Sequence, residues 1–293
     1  MRIRQLIKWM LVVIGGLIAL VLICVAIVYV IVGNDLSRTF DVAGTSIVVL
    51  DDEASVAEGE RLARVHGCAG RCHGDNVNGA VFFDVPDGTH VFAADLAAAV
   101  RLYSIDQLEL VIRHGIRPNG TSVIGAMPSD MFYHLSDRDL GAIIAYLKSQ
   151  EPVQTQLPKN RIGPITRLLF FYLDRKIGTL LTAKRIDHDA PRINYSEADS
   201  ISHGRYLAVT SCSECHGDDL RGTPNGFVPS PSLAIVAAYS LDEFRNLMRT
   251  GEPIGARELY VMVLMAEDRF AYLSDREIEN LHTYLQTLAA TAD

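Results

Sequence analysis

The sequence predicts an all-α protein in which two tandem copies of one helical domain follow a single N-terminal transmembrane helix. Three observations support this prediction. Residues 10–32 carry no charged side chain, a Cys-His dipeptide with a second cysteine just upstream occurs twice, and two serine-capped helical segments recur after each of these motifs. The length of 293 residues is enough for two domains of ordinary size.

The uncharged run at residues 10–32 is long enough for a helix to cross the hydrocarbon core of a membrane. A cleaved signal peptide is the alternative, but its apolar core spans about 7 to 15 residues and ends at a small-residue cleavage site, so an uncleaved anchor is favoured. Arg2, Arg4 and Lys8 precede the run, and the positive-inside rule therefore predicts a cytoplasmic N-terminus and an exported remainder. Cys24 lies inside the run and is expected to face lipid or to pack.

The pentapeptide at 212–216, Cys-Ser-Glu-Cys-His, has the spacing of a c-type haem attachment site. The thiols of Cys212 and Cys215 can form thioethers to both vinyl groups of one porphyrin, and His216 can then bind the iron as proximal ligand. Half of a structural zinc site is the alternative, but such a site needs four ligands and usually a second cysteine pair or a spaced histidine pair. The pattern therefore favours haem.

A second motif at 68–73, Cys-Ala-Gly-Arg-Cys-His, has three residues between its cysteines instead of two. Its Cys72-His73 dipeptide is intact, so the longer spacer affects the Cys68 thioether alone. Gly70 can adopt backbone angles closed to other residues, which helps the spacer to bulge while Cys68 reaches its vinyl group. A disulfide between Cys68 and Cys72 is the alternative. We expect a second covalent haem here, which gives two haem c groups in the chain.

Two serine-capped segments are repeated along the chain. Residues 103–107 (YSIDQ) recur as 239–243 (YSLDE), where the serine and the Gln or Glu three positions later have capping-box spacing. Residues 135–139 (LSDRD) recur as 273–277 (LSDRE) and open a second pair of helices. The apolar faces of this second pair are predicted to be core: Ile143, Ile144 and Leu147 in the first copy, and Ile278, Leu281 and Leu285 in the second.

Arg113 and Arg249 recur at one position near the end of the first pair of helices, which Gly115 and Gly251 are expected to close. Each guanidinium could bind a haem propionate, or each could be an exposed last-turn cation favoured by the helix dipole. Both interpretations remain open. No histidine outside the motifs recurs at matched positions in the two copies, so these histidines are interpreted as surface or hydrogen-bonded residues, with His90 as the one exception considered for an iron ligand.

Two segments lie outside the repeats. Residues 36–56 are expected to form a tether, with a short strand at 46–50 (SIVVL), and a helix is expected from about Ser55. Between the repeats, residues 165–181 (ITRLLFFYLDRKIGTLL) are predicted to form a helix packed across both domains. A helix on the membrane surface is the alternative, because basic residues accompany its apolar ones.

The order of helix, Cys-His motif, capped helix, methionine-containing loop and capped C-terminal helix resembles the class I cytochrome c domain over about residues 55–150 and 198–290. In tandem, the copies are similar to diheme cytochromes and to the cytochrome subunits of membrane-bound alcohol and gluconate dehydrogenases. The predicted organisation is a cytoplasmic N-terminus and anchor at 1–33, a tether at 34–54, cytochrome c domains at 55–151 and 198–293, and an interdomain segment at 152–197.

The resemblance implies that the sixth iron ligand is a methionine from the loop before the C-terminal helix. Counting back eight residues from each Leu-Ser-Asp cap selects Met127 and Met265. In this register Met131 is aligned with Arg269 and Met262 with Ile124, so neither has a methionine counterpart. Met131 and Met262 are then expected to fill apolar gaps.

The resemblance implies electron transfer on the periplasmic face of a bacterial cytoplasmic membrane, between a dehydrogenase or quinol-oxidising complex and a terminal oxidase or soluble cytochrome. The chain is then an electron carrier and not itself an enzyme. A diheme peroxidase or a thiosulfate-oxidising cytochrome is the alternative, although thiosulfate enzymes use a cysteine iron ligand and no exported cysteine remains outside the motifs. The acidic balance, a formal net charge of −8, argues against nucleic acid, and it is interpreted as a soluble acidic surface or, alternatively, as a surface for redox partners with a basic docking face.

Overall fold

The computed structural model describes residues 2–153, 157–177, 181–223, 229–255 and 257–290. The first element is helix α1, Arg2–Leu36, whose apolar side chains are exposed along most of its length. In the described part of the chain it is the one helix long and apolar enough to cross a membrane, with a mean hydropathy of 3.3 in its most apolar 18-residue window. Signal sequences pass the same test.

The predicted all-α class with two helical domains is confirmed. The first domain contains α2 (Glu53–Val65), strands β1 (Ala80–Val85) and β2 (Thr89–Ala93), α3 (Leu96–Leu102), α4 (Ile105–His114), α5 (Ser129–Phe132) and α6 (Asp137–Ser149). Helix α7 (Pro164–Ile177) follows. The second domain contains α8 (Ser200–His216), α9 (Leu241–Thr250), α10 (Tyr260–Asp268) and α11 (Asp275–Ala290), with short 3-10 turns at Leu233–Ala238 and Phe270–Tyr272.

The predicted helix caps are present in both domains. Ser104 and Ser240 each form a capping box at the start of α4 and α9. Gly115 and Gly251 end these helices with φ of 64° and 76°, a left-handed conformation that glycine adopts without steric cost. Ser136 likewise accepts a hydrogen bond from the Asp139 amide at the start of α6. These features depend on neighbours close in sequence, so the sequence alone predicts them.

Each domain is built on a close crossing between its first and last helices. A Cβ on Gly59 of α2 would lie 1.9 Å from the Ala142 carbonyl oxygen of α6, and a Cβ on Gly204 of α8 would lie 2.0 Å from the Asn280 carbonyl oxygen of α11. The two glycines let the helix backbones touch. The predicted core residues line these crossings and are all buried: Ile143, Ile144, Leu147, Ile278, Leu281 and Leu285.

The predicted tether and its strand are wrong. Residues 46–50, all of them described, form no strand, and the sheet of the first domain is the antiparallel hairpin β1–β2 instead. The segment packs onto the first domain: Ile47 is buried in its core, and the Thr45 amide donates to Glu109 Oε2 at 3.1 Å. A Cβ on Gly141 would lie 2.4 Å from the Val48 carbonyl oxygen, so a glycine on α6 makes room for the passing backbone.

The two domains pack through a pseudo-symmetric exchange of side chains. Arg61, two residues after the crossing glycine of α2, donates to Glu277 at the start of α11, with distances of 2.8 and 2.9 Å. Tyr206, two residues after the crossing glycine of α8, donates to Asp139 at the start of α6 at 2.5 Å. Asp139 and Glu277 occupy the same position in the repeated LSDR segment. Each domain therefore offers the same patch to the other, as in a two-fold dimer.

Helix α7 does not pack across the two domains as predicted. Phe170 and Phe171 lie in a small apolar cluster with Val32, at the C-terminal end of α1, and Leu181. Residues 178–180 of the predicted helix lie outside the described residues. The cause is the apolar end of α1, which provides α7 with a packing surface that the sequence pattern of α7 alone does not reveal.

Candidate haem sites

The two cysteine motifs have different backbones. In the second domain, residues 212–216 form the last turn of α8, and Gly217 follows with φ of 81°. In the first domain α2 ends at Val65, and the longer motif forms a turn in which the Gly70 amide donates to the Gly74 carbonyl at 3.1 Å. Gly70 has φ of 104°, a conformation that L residues rarely adopt. This glycine absorbs the extra residue of the spacer.

The two motif histidines are held in the same way. Nδ1 of His73 lies 2.8 Å from the Ala94 carbonyl oxygen, and Nδ1 of His216 lies 2.8 Å from the Pro231 carbonyl oxygen. A carbonyl can only accept, so Nδ1 carries the proton in both rings and Nε2 is free to bind a metal. Burial lowers the pKa of both imidazoles, which keeps them neutral, as an iron ligand must be.

A strained turn behind each histidine was not predicted. Val77 and Leu220, each four residues after its histidine, have φ of 53° and 59° and are fully buried. Their amides donate to the carbonyls of Gly74 and Gly217, at 3.0 and 2.9 Å. Left-handed conformations of such residues cost on the order of 1–3 kcal/mol and persist only where the surrounding structure enforces them. The repeated pattern His-Gly-Asp-x-x-x-Gly at 73–79 and 216–222 is the sequence signal that reveals these turns.

The four motif cysteines are free, partly buried thiols, and the alternative disulfide between Cys68 and Cys72 is absent from this described turn. Burial raises the pKa of Cys68 and Cys212 to about 12 and also raises the pKa of Cys72 and Cys215. The four side chains are therefore protonated thiols, the groups that would form thioethers with the haem vinyl groups. Within the described residues no three His, Cys, Asp or Glu side chains converge as a metal cluster.

The four candidate methionines differ in their surroundings. Met127 lies in a loop and is partly buried against the first core, whereas Met131 is buried there at 2 % exposure. Met262 and Met265 lie on α10, not in a loop as expected, and both pack partly against the second core. Because they are three residues apart on a helix, they share a face. Met131 therefore has the gap-filling environment predicted for it.

The two attachment motifs meet around Arg269, which the sequence register aligns with Met131. Arg269 is 7 % exposed, its Nε donates to the Val65 carbonyl at 2.9 Å, and its Nη1 lies 3.1 Å from Glu214 of the second motif. Its Nη2 has no hydrogen-bond partner among the described residues. The guanidinium also opposes the burial-driven rise in the pKa of all four motif thiols.

Two further contacts cross the domain interface beside the motifs. Arg71, inside the first motif, donates to Asp268 at 2.7 Å. His66, just before the first motif, donates from Nδ1 to the carbonyl of Thr210, just before the second, at 3.1 Å. Burial lowers the pKa of His66 to about 3, so this ring is neutral. The attachment segments are therefore neighbours, which the sequence did not indicate because the contacts span more than a hundred residues.

The repeated arginines follow neither interpretation. Arg113 is fully buried, and its Nη2 donates to the Leu135 carbonyl at 2.6 Å and to Asp137 at 2.7 Å. Arg249 donates to the Ala271 carbonyl and, at 3.0 Å, to Asp275. Both arginines thus tie the repeated helix to the start of the C-terminal helix of their domain, through Nη2 of Arg113 and through Nη1 and Nη2 of Arg249.

His90 lies on the hairpin instead of at a candidate site. Its Nδ1 is 2.9 Å from Asp84 of β1, and its backbone pairs with Arg161. The hairpin is inserted between the turn after His73 and the carbonyl of Ala94 that holds this histidine. In the second domain a shorter stretch of sequence connects His216 to Pro231. The hairpin is therefore a difference between the two copies, while the hydrogen bond of the motif histidine to a carbonyl is the same in both.

The comparisons with known proteins agree with this geometry. Residues 54–147 match the family model "Cytochrome C oxidase, cbb3-type, subunit III", and residues 201–289 match the family model "Cytochrome c". The chain is 26 % identical to the fructose dehydrogenase cytochrome subunit of Gluconobacter japonicus, with 82 % of this chain and 54 % of the relative aligned. It is 25 % identical to the gluconate 2-dehydrogenase cytochrome c subunit of Pantoea cypripedii, with 82 % and 62 % aligned.

A third relative is the cytochrome c subunit of the quinone-dependent alcohol dehydrogenase of Gluconobacter oxydans, 28 % identical over 60 % of this chain and 36 % of the relative. The chain spans less than two thirds of the length of these relatives. The chain carries two cytochrome c-type domains and is homologous to cytochrome c subunits of fructose, gluconate and alcohol dehydrogenases.

Proposed function

We propose that the chain is the electron-carrying subunit of a membrane-attached redox system and holds two covalent haem c groups. When bound, haem supplies a reversible one-electron couple at its iron. The chain supplies the thiols, the neutral imidazoles and an apolar surround that restricts water. The proposed protein ligands are Cys68, Cys72, His73 and Met127 for the first haem, and Cys212, Cys215, His216 and Met265 for the second.

The observation that carries this proposal is the meeting of the two attachment motifs around Arg269. Val65, just before the first motif, and Glu214 of the second motif both bind this guanidinium, and His66 and Thr210 make a further contact beside the two motifs. The residues that would hold the two haems therefore lie near one domain interface. If both haems are bound, this proximity would favour electron exchange within the chain, which suits a carrier between two partner proteins.

Retention of α1 as an anchor is supported by its packing. Val32 is 1 % exposed and lies in one cluster with Leu181, Phe170 and Phe171, so removal of α1 would uncover apolar side chains of the folded part. A signal sequence that is cleaved would not cover apolar side chains of the mature protein in this way. With basic residues before the span, we infer that the domains lie on the periplasmic side of a bacterial cytoplasmic membrane.

The donor we propose is a dehydrogenase subunit, because the relatives are named as subunits of dehydrogenases. The proposed acceptor is a terminal oxidase or a soluble cytochrome. The chain is acidic overall although its first 32 residues hold basic and no acidic side chains, so the exported part is more acidic still. A partner with a basic docking face would associate faster with such a surface.

The carrier and the peroxidase alternatives differ in the axial ligands and the spin state of the iron. If both irons have a histidine and a methionine ligand, the oxidised protein will be low-spin and will not turn over peroxide with a reduced donor. Optical and electron paramagnetic resonance spectra of the membrane-extracted full chain, together with a peroxide assay, measure this. A high-spin haem combined with peroxide turnover would contradict the carrier assignment and support a peroxidase.

Replacement of the shared guanidinium gives a test of haem proximity. Arg269→Gln is expected to lower the midpoint potentials of both haems, because a nearby positive charge disfavours the ferric iron and Glu214 is left unpaired. For scale, about 59 mV is a tenfold change in a one-electron equilibrium. Arg249→Gln, which removes a repeated arginine bound at the start of α11, is the control and should leave both potentials unchanged.

Redox titration followed at the haem absorption bands measures these potentials. The methionine-to-iron band should persist in Arg269→Gln, which shows that Met265, whose sulfur lies 4.0 Å from Arg269 Nη1, still binds. A shift confined to one haem, or an equal shift in Arg249→Gln, would show that the two attachment motifs do not share Arg269.

A further inference from the structure

We propose that helix α7 lies in the membrane–water interface beside the end of α1 and that its exposed apolar side chains insert among lipid headgroups and upper acyl chains. These side chains form the α7 stripe: Ile165, Leu168, Leu169 and Tyr172. The occupant of this surface is therefore the bilayer itself. The inference rests on the proposed retention of α1 as a membrane span and adds an orientation for the haem-bearing domains.

The α7 stripe is a continuous apolar surface on one side of the helix. Its members have the spacing i, i+3, i+4 and i+7, which places them on one face of an α-helix. Ile165 is 67 % exposed, Leu169 50 % and Tyr172 60 %. Leu168 is also exposed. A contiguous exposed apolar face of this kind marks an interaction surface and not an ordinary soluble one.

The position of α7 against α1 decides what covers the stripe. The Arg167 guanidinium carbon lies 3.9 Å from the centroid of the Tyr29 ring, and its Nη1 donates to the Tyr29 carbonyl at 3.2 Å. Tyr29 is near the end of the uncharged run 10–32, where a spanning helix leaves the hydrocarbon core. Aromatic and basic side chains are enriched at this depth of a membrane. Helix α7 is therefore attached to α1 at the level of the lipid headgroups.

Contacts at the N-terminal end of α7 attach this helix to the β1–β2 hairpin of the first domain. Asp87, in the turn of the β1–β2 hairpin, accepts a hydrogen bond from the Thr166 amide at 2.7 Å and so caps the start of α7. The Gly163 amide donates to Thr89 Oγ1 at 2.7 Å, and a Cβ on Gly163 would lie 2.3 Å from the Asp87 carbonyl oxygen. The hairpin, α7 and the end of α1 form one connected unit, so a stripe lying in the interface fixes the tilt of the first domain against the membrane.

Site-specific photocrosslinking to lipid tests this inference. The full-length, haem-loaded chain is placed in nanodiscs of phosphatidylcholine and phosphatidylglycerol, with a benzophenone amino acid in place of Leu169. The matched control carries it in place of Ile201, an apolar residue of α8 with nearly the same exposure, 49 % against 50 % for Leu169. After irradiation, we expect phospholipid adducts by mass spectrometry at position 169 and background levels at position 201.

A third variant with the same amino acid in place of Leu20 separates this inference from the proposed anchoring. Lipid adducts at 20 and 169 but not at 201 would support the interfacial position of α7. Adducts at 20 without adducts at 169, or equal adducts at 169 and 201, would overturn it while leaving the anchor intact. Absence of adducts at 20 would show that α1 does not span the membrane and would overturn both.

Discussion

The mature protein purified from membranes is expected to gain the mass of two haem groups, one of them at the irregular motif. Both motif histidines have Nδ1 bound to a backbone carbonyl at 2.8 Å, and Gly70 accommodates the longer spacer. The first site therefore offers a histidine and a cysteine pair for haem attachment, as the second site does. Intact mass spectrometry under denaturing conditions counts the covalent haems directly. The same mass reports whether residues 1–33 are retained.

Cysteine variants assign each haem to its motif. The double variant Cys212→Ser, Cys215→Ser should lose one haem mass and keep the other. Cys72→Ala should remove the haem of the first motif, because Cys72 stands directly before the ligand histidine. If Cys68→Ala keeps both haems, attachment at this site depends on Cys72 alone. A single haem mass in the unchanged protein would mean that the first motif is not an attachment site.

The features predictable from the sequence are those set by neighbours within a few residues. Serine caps, closing glycines and the apolar faces of α6 and α11 follow from spacing along one helix, and the structure has them all. The cysteine motifs have a spacing that few other chemistries need, so the class of cofactor also follows from the sequence. Local periodicity therefore predicts the frame of each domain.

What could not be predicted depends on contacts between distant segments. Ile47 packs into a core formed by residues far along the chain, whereas its own segment has no helical periodicity and therefore predicts only a tether. The strained backbones at Val77 and Leu220 arise because the surrounding turns enforce them, whereas valine and leucine have no preference for such angles. Arg269 has no counterpart in the repeat, where Met131 is aligned with it, and its role depends on the domain interface, where it binds Val65 and Glu214.

The exchange of equivalent contacts between the domains explains why the motifs meet. Arg61 binds Glu277 while Tyr206 binds Asp139, so the domains are related by an approximate two-fold axis. Residues near such an axis approach their own equivalents. The first motif lies just after the helix that carries Arg61, and the second forms the last turn of the helix that carries Tyr206, which brings the two attachment segments together. Differences between the copies, such as Arg269 in place of a second buried methionine, then fall at the centre of the interface.

Met127→Ala and Met265→Ala are each expected to convert one haem to high-spin or alternative ligation and to lower its potential. The physical reason is the loss of a thioether ligand that favours the ferrous iron. Axial ligands set haem potentials over a range of about 0.8 V, so this is the largest redox effect expected from a single substitution in the chain. The methionine-to-iron absorption band and a redox titration of the full chain measure both changes.

The neighbouring methionines supply matched controls, because each has the same side chain within a few residues of the proposed ligand. Met131 is 2 % exposed in the first core, so Met131→Ala should lower the free energy of unfolding by about 2–5 kcal/mol while leaving ligation unchanged. Met262→Ala should also keep both methionine-to-iron bonds. Met262 and Met265 share a face of α10, which makes this second pair the sharper comparison. Loss of the absorption band in Met262→Ala, with the band retained in Met265→Ala, would show that the repeat register selects the wrong ligand in the second domain.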